Sequence, residues 1–206
     1  MSWLQVVKDD ITQEQLDLFL GKSVSMDTET TGLDPTKDRL ALVTLTIPTN
    51  APVLVRIKPD PGEAPENLNY LLWSDATVKT FHHAAFDLAF LYATFPSMIA
   101  RRVTCTKVAS KIIRPGASSH SLKDLAFLYA GVDLPKGCAT SDWFASELSY
   151  EQQCYAADDV LYLADIMDGM FRQSTAKQRE QMLRAFNLLP GYARLKAEGY
   201  ENIFSY

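Results

Sequence analysis

A chain of 206 residues, 47% of them hydrophobic, can bury a substantial core and is read as one domain covering residues 1–206. Its net charge of −5 argues against a protein that grips long nucleic acid by the backbone, because that affinity is built from many Lys and Arg contacts. A nucleic-acid substrate is therefore expected to be short or held locally. The opening residues lack the basic leader and apolar core of a secretion signal, and no stretch approaches the roughly 18 apolar residues of a membrane span. Cys105, Cys138 and Cys154 show no CxxC spacing, so neither a disulfide framework nor a thiolate zinc site is expected. These features describe a soluble, cytoplasmic protein with no membrane partner.

In chain order, residues 2–7 suit a short strand, and Thr12 with Gln15 forms a capping-box pattern opening a helix that turns Leu16, Phe19 and Leu20 inward. Gly21 stops it. Residues 23–30, 39–47 (RLALVTLTI) and 52–57 (PVLVRI) read as three strands joined by short turns, an antiparallel meander. The Pro- and Gly-rich residues 58–65 form a loop, followed by a short helix in ENLNYLLW, a strand in ATVKTFHH and a helix over 84–95. Beyond that point the pattern is helical: CTKVASKII, then SLKDLAFLYAG closed by Gly131. The connector over 132–148 is long for a compact domain and suggests a functional loop. Ser149 with Gln152 opens a helix expected to run to about Arg172, and a last helix over 176–189 is expected to end before Pro190. Strands first, then strands mixed with helices, indicate an α/β fold with helices covering a mixed sheet.

Residues 24–33, VSMDTETTGL, set Asp27 and Glu29 two positions apart in a strand that ends in a Gly-containing turn. Alternate strand residues share a face, so both carboxylates project together from a buried segment. A divalent metal with hard oxygen ligands relieves their repulsion. Asp-x-Glu triplets are common, and most are solvated strand ends, so the reading depends on acids further along. Asp87, in FHHAAFDLAFL, stands in a first helical turn, where the helix dipole favours an acid with or without a role. Tyr155 and Asp159, in CYAADDVLYLADI, are i and i+4 and share one helix face. Val160, Leu161, Leu163 and Ile166 make that helix a core element, which brings Asp159 out beside packed sheet, where a charge is costly unless paired.

Asp-x-Glu on a strand, Asp on the helix after a later strand, and Tyr-x-x-x-Asp on a late helix together resemble the DEDD 3′-to-5′ exonucleases, in the Tyr-containing branch typified by ribonuclease D. The resemblance covers about residues 23–170 and extends to SLKDLAFLYAGVDL, to Ser141-Asp142-Trp143 and to LSYEQQCYAADDVLYL. Within the family the chain is similar to the nanoRNase C group of bacterial oligoribonucleases, through CTKVASKI at 105–112, His120 before LKDL, and the tail ending GYENIF. The 47 residues after Asp159 are too few for the paired helical nucleic-acid-binding domains of full ribonuclease D enzymes. Three departures surround the motifs without touching their acids: Ala139 where the family has Gln, Ala84-Ala85 where the nanoRNase C group has Gly-Arg, and residues 145–148 in place of ribonuclease D's Arg-Pro-Leu.

The resemblance implies an RNase H-like fold with a mixed five-stranded sheet flanked by helices. It implies hydrolysis of short oligoribonucleotides, dinucleotides foremost, to nucleoside 5′-monophosphates, with two divalent ions, Mg²⁺ or Mn²⁺, as cofactors. Asp27 would bridge both ions, Glu29 and Asp159 complete one site, and Asp87 hold the second through water. Tyr155 would orient the attacking water or accept its proton, the first role suiting a group of ordinary pKa about 10. Thr28, Leu33, His82 and His120 are the implied substrate contacts. Leu33 matches a wedge between the last two bases, although a turn leucine packed on the core reads equally well, and His120 suits a substrate phosphate. Phe81 and Phe86 are read as core. Lys107, Lys111, Arg114 and Lys123 form the one local basic concentration, either a solvated helix face or a seat for a short RNA backbone. A broader exonuclease acting on longer RNA or on DNA ends is the first alternative; an inert nucleic-acid-binding domain is the second, and it has no use for five motif residues. A closed homo-oligomer, expected to be octameric, is also implied, with the tail over 190–206 and its Ile203-Phe204 packing against a neighbour.

Overall fold

The computed structural model describes residues 3–135, 140–200 and 203. Cys138, Ala139 and Phe204, each singled out above, lie outside the described residues. Strand β2 (Ser23–Thr30) is central: it pairs antiparallel with β3 (Leu40–Thr46), which pairs antiparallel with β4 (Val53–Arg56), giving the expected meander. Strand β1 (Gln5–Lys8) lies parallel outside β4, while β5 (Val78–Phe81) lies parallel on the other side of β2, with β6 (Val103–Cys105) parallel beyond it. The sheet thus has six strands, in the order β1-β4-β3-β2-β5-β6, where five were expected. The missed strand is β6. Three residues are too few to show alternation, and the helical pattern of CTKVASKII begins within it.

Alternation along β2 assigns its two faces different tasks. Val24 and Met26 face a large apolar cluster with Val43, Leu45 and Val55, covered by α3 (Ala84–Thr94), α7 (Leu163–Gln173) and α8 (Ala176–Ala197). The opposite face carries Asp27 and Glu29, whose register partners are Thr44 and Leu42, and it is covered by α6 (Tyr150–Leu161) through a second cluster of Leu42, Leu54, Trp143, Ala156 and Ala157. Helices α1 (Gln13–Phe19), α2 (Glu66–Trp73), α4 (Thr106–Ile113) and α5 (Leu122–Ala130) complete the layers.

Local signals in the sequence hold well. The capping boxes at Thr12 and Ser149 both form, and Gly131 ends α5 in the left-handed conformation at φ 70°. Two helix boundaries differ from expectation. The helix opening at Ser149 does not run through to Arg172 but breaks at Tyr162 (φ −106°, ψ −1°), because its two halves bury against different cores: Ala156 and Ala157 in the second cluster, Ile166, Met167 and Met170 in the first. Leu161, read as a core position, is accordingly exposed. The last helix continues past Pro190 to Ala197, although proline offers no N–H to the carbonyl of Phe186. Its far half is held by tertiary contacts: Ala193 is buried, and the Arg194 guanidinium donates to the carbonyls of Pro96 (3.0 Å) and Met98 (2.5 Å) while lying 3.8 Å from the centre of the Tyr92 ring. Residues 190–197 therefore pack within this chain.

Candidate active site

The end of β2 and one face of α6 bring three carboxylates together. One oxygen from each of Asp27, Glu29 and Asp159 lies within 4.8 Å of the other two. The i, i+2 spacing places the first two on one face of the strand, and α6 crosses that face to deliver Asp159. Asp87, in the first turn of α3, lies outside this triad, and its Oδ1 accepts a 2.8 Å hydrogen bond from the Thr28 hydroxyl. Thr28 thus turns to the opposite face of β2 from its neighbours and commits its hydroxyl proton to an acid.

Burial raises all four carboxyl groups, and repulsion from neighbouring acids adds to it, for Asp159 from Asp158. Burial first, then Asp87, Asp159 and Glu29, hold Asp27 well above the usual carboxylate range. Glu29 is pushed up to about 9 by burial and by Asp159 and Asp87. Asp87 and Asp159 rise to about 7, again chiefly through burial, against the opposing hydrogen bonds of Thr28 and Tyr155. Glu29 Oε1 and Asp87 Oδ2 are buried and have no hydrogen-bond partner among the described residues. An all-oxygen set with orphaned buried oxygens and unrelieved negative charge fits hard divalent cations and suits no soft metal. Tyr155 hydrogen-bonds Asp159 from one turn earlier on α6, and burial followed by the surrounding carboxylates holds its hydroxyl well above its ordinary value.

A cleft of about 380 Å³ opens beside these acids, lined by Thr28, Glu29, Thr30, Thr31, Gly32, Leu33, Phe86, Thr140 and Ser141. Leu33 is 83% exposed, so of its two readings the leucine packed on the core does not hold. Phe86, expected in the core, is half-buried and forms part of the cleft wall, stacked against His83 (centroids 5.9 Å apart) and packed on Phe90. His82 and His120 are not among the residues lining the cleft. The Nδ1 of His82 bonds the Thr106 hydroxyl and that of His120 the Ser110 hydroxyl, each at 2.8 Å. Burial and nearby Lys107 push His82 down to about 3, so it is neutral at physiological pH. Lys107 and Lys111 both bear on His83, whereas Lys123 is tied to Asp133 at 2.8 Å and to the carbonyl of Leu134.

A 3′–5′ exonuclease family model matches residues 4–174. The chain belongs to the 3′–5′ exonuclease family. It is 33% identical to DNA polymerase I of Aquifex aeolicus over 164 residues, 77% of this chain and 26% of the polymerase. It is 35% identical to ribonuclease D of Xanthomonas oryzae over 109 residues, 52% of this chain and 30% of that enzyme. The chain therefore spans less than a third of either protein. Brucella melitensis NrnC, solved also with bound Mg²⁺ and bound to pGG, is 32% identical across 98% of both chains with a TM-score of 0.90. The expected likeness to ribonuclease D and to the nanoRNase C group stands, as does the DEDD exonuclease fold, with six strands in its sheet.

One neighbour of these acids had no role assigned from the sequence. Trp143, from the Ser-Asp-Trp stretch of the long connector, is only 2% exposed and packs its ring 6.2 Å from that of Tyr155. The connector is pinned beneath it: Gln152 Nε2 donates to the carbonyl of Asp142 (3.0 Å), and Arg56 donates to the carbonyls of Ala145 and Ser146. The length of the connector signalled a functional segment; no local pattern says which side chain it would turn inward.

Proposed function

We propose that this chain is a metal-dependent 3′–5′ exoribonuclease that degrades short oligoribonucleotides, dinucleotides foremost, to nucleoside 5′-monophosphates. The observation that carries this reading is the partly buried triad Asp27, Glu29 and Asp159 beside a cleft with an exposed Leu33. Two divalent ions, Mg²⁺ or Mn²⁺, held by this triad together with Asp87, would neutralise charge on the phosphoryl oxygens and raise the acidity of a bound water. Thr28 orients Asp87 by its hydrogen bond. Tyr155 acts as a positioning group: with its hydroxyl pKa raised, it stays protonated at neutral pH, donates that proton to Asp159 and offers its oxygen as acceptor to the attacking water. Leu33 and Phe86 offer apolar surface for the terminal bases, and His120 is assigned to a phosphate of the short strand.

Two facts support a short substrate. The net charge of −5 leaves little for a long backbone, and the similar Brucella NrnC has been solved with pGG, a ligand two nucleotides long. A homo-oligomer belongs to the same reading, with Trp3, Tyr150, Leu183 and Leu188 as exposed apolar surface for it. The test is cleavage of end-labelled RNAs of graded length, from the dinucleotide upward, with Mg²⁺, Mn²⁺ or EDTA. Metal-dependent cleavage fastest on the dinucleotide is the expected result. Equal or faster cleavage of long strands assigns the broader ribonuclease D-like activity, and no cleavage with either metal overturns the enzymatic reading.

A further inference from the structure

The turn between β2 and β3 is braced from within. The Thr31 N–H donates to the carbonyl of Arg39 (3.0 Å) and the Arg39 N–H to the Thr31 hydroxyl (2.9 Å), closing its base. Asp34 organises its tip, its Oδ1 accepting from the Thr36 N–H and hydroxyl and its Oδ2 pairing with Lys37 at 2.6 Å. Asp38 does something different. Its Oδ2 accepts the Asp34 N–H at 2.9 Å, and its carboxyl group lies so close over Gly32 that a Cβ built there would meet Oδ2, Cγ and Oδ1 at 2.3, 2.4 and 2.6 Å. Gly32 is not in the left-handed region, so what the glycine supplies is space for this carboxylate. Asp38 therefore grips the chain on both sides of Leu33, at residue 32 by contact and at residue 34 by hydrogen bond. An 83% exposed leucine on a free turn would fold back onto apolar surface; on this turn it stands out into the cleft.

We propose that Asp38 is a positioning residue that sets the affinity of the cleft for short RNA: its carboxylate, seated on Gly32 and bonded to the Asp34 N–H, holds Leu33 projecting between cleft wall and substrate base. This rests on the reading of the cleft as the substrate site. Asp38 is not among the residues lining the cleft, so its loss is expected to act on binding through Leu33. The turn must then be ordered when the substrate arrives, which weakens association and leaves the chemical step alone.

The experiment measures kcat and KM on an RNA dinucleotide for Leu33→Ala, Asp38→Ala, Asp38→Asn, Gly32→Ala and the Gly32→Ala/Asp38→Ala double variant, with circular dichroism confirming that each is folded. Asp38→Ala and Gly32→Ala are each expected to raise KM about ten-fold, the scale of a lost apolar contact in a binding site, with kcat held within about two-fold. Asp38→Asn keeps an acceptor oxygen for the Asp34 N–H and is expected to restore KM to near the parent value. The double variant is expected to be no worse than either single, because the atom pair that clashes in Gly32→Ala is then absent. A parent-like KM in Asp38→Ala beside a raised KM in Leu33→Ala overturns this proposal alone, as does a loss confined to kcat. An unchanged KM in Leu33→Ala overturns the cleft reading and the proposal with it. Should Asp38→Ala fail to fold, Gly32→Ala carries the same test, since it displaces the carboxylate without deleting it.

Discussion

Asp27 sits among three other acids, and both its burial and their charges oppose its ionisation. Activity and stability are therefore set against each other at this side chain. On the proposed reading, Asp27→Asn removes a metal ligand from a set that acts as a unit, and kcat is expected to fall about 10⁴-fold, the scale seen when one member of a cooperating catalytic group is deleted. The same variant relieves repulsion, so its thermal midpoint in EDTA at mildly alkaline pH is expected to exceed that of the parent by about 2–4 °C, the shift that ~1 kcal/mol produces in a chain of this size. A midpoint below the parent's would show that the acids are not the source of strain. Tyr155→Phe removes a positioned hydroxyl while keeping the ring that packs on Trp143, and it is expected to lower kcat about ten-fold to a hundred-fold with little change in KM. A loss confined to KM would remove Tyr155 from the chemical step. The five motif residues were legible as residue types at set spacings. Trp143 as the support for Tyr155 was not, because a packing partner brought in from a loop leaves no periodic trace.

At the scale of elements, what was legible is what short-range chemistry decides. Thr12 with Gln15, Ser149 with Gln152 and Gly131 act within a turn or two of the backbone, and each does in the fold what its pattern suggests. The break at Tyr162 and the passage of α8 through Pro190 follow from packing between distant segments, two core clusters in the first case and the Arg194 anchorage to Pro96, Met98 and Tyr92 in the second. A helix that tolerates proline only because its far half is anchored should gain from the missing donor. Pro190→Ala is expected to raise the thermal midpoint by several degrees, the penalty of an interior proline being about 3 kcal/mol before tertiary compensation. Calorimetry of the two proteins decides it, and a lowered midpoint would mean that the proline ring itself makes packing the helix needs.

For the molecule as a whole, the acid cluster links global stability to pH and to metal. Glu29 at about 9 and Asp87 and Asp159 at about 7 lie above the ordinary carboxyl value of about 4. The native state accordingly binds more protons than the unfolded chain across that window. The stability this cluster contributes is full below about pH 4 and is lost as pH rises through 7 and then 9. In EDTA the thermal midpoint is thus expected to fall from about pH 5 to about pH 9, while the gain on adding Mg²⁺ grows, since metal ligands must be deprotonated to bind. A flat profile in EDTA, or a gain that shrinks with pH, would contradict the linkage. By itself the sequence determined the fold class, the identity of the acids and the faces on which they fall, because strand alternation, helical spacing and capping are properties of neighbouring residues. Only the tertiary structure decided that Asp159 joins Asp27 and Glu29 while Asp87 turns to Thr28, that a sixth strand extends the sheet, and that Asp38 fills the space over Gly32. Each of those depends on which remote segments share a volume, and that is settled by packing the whole chain around one sheet.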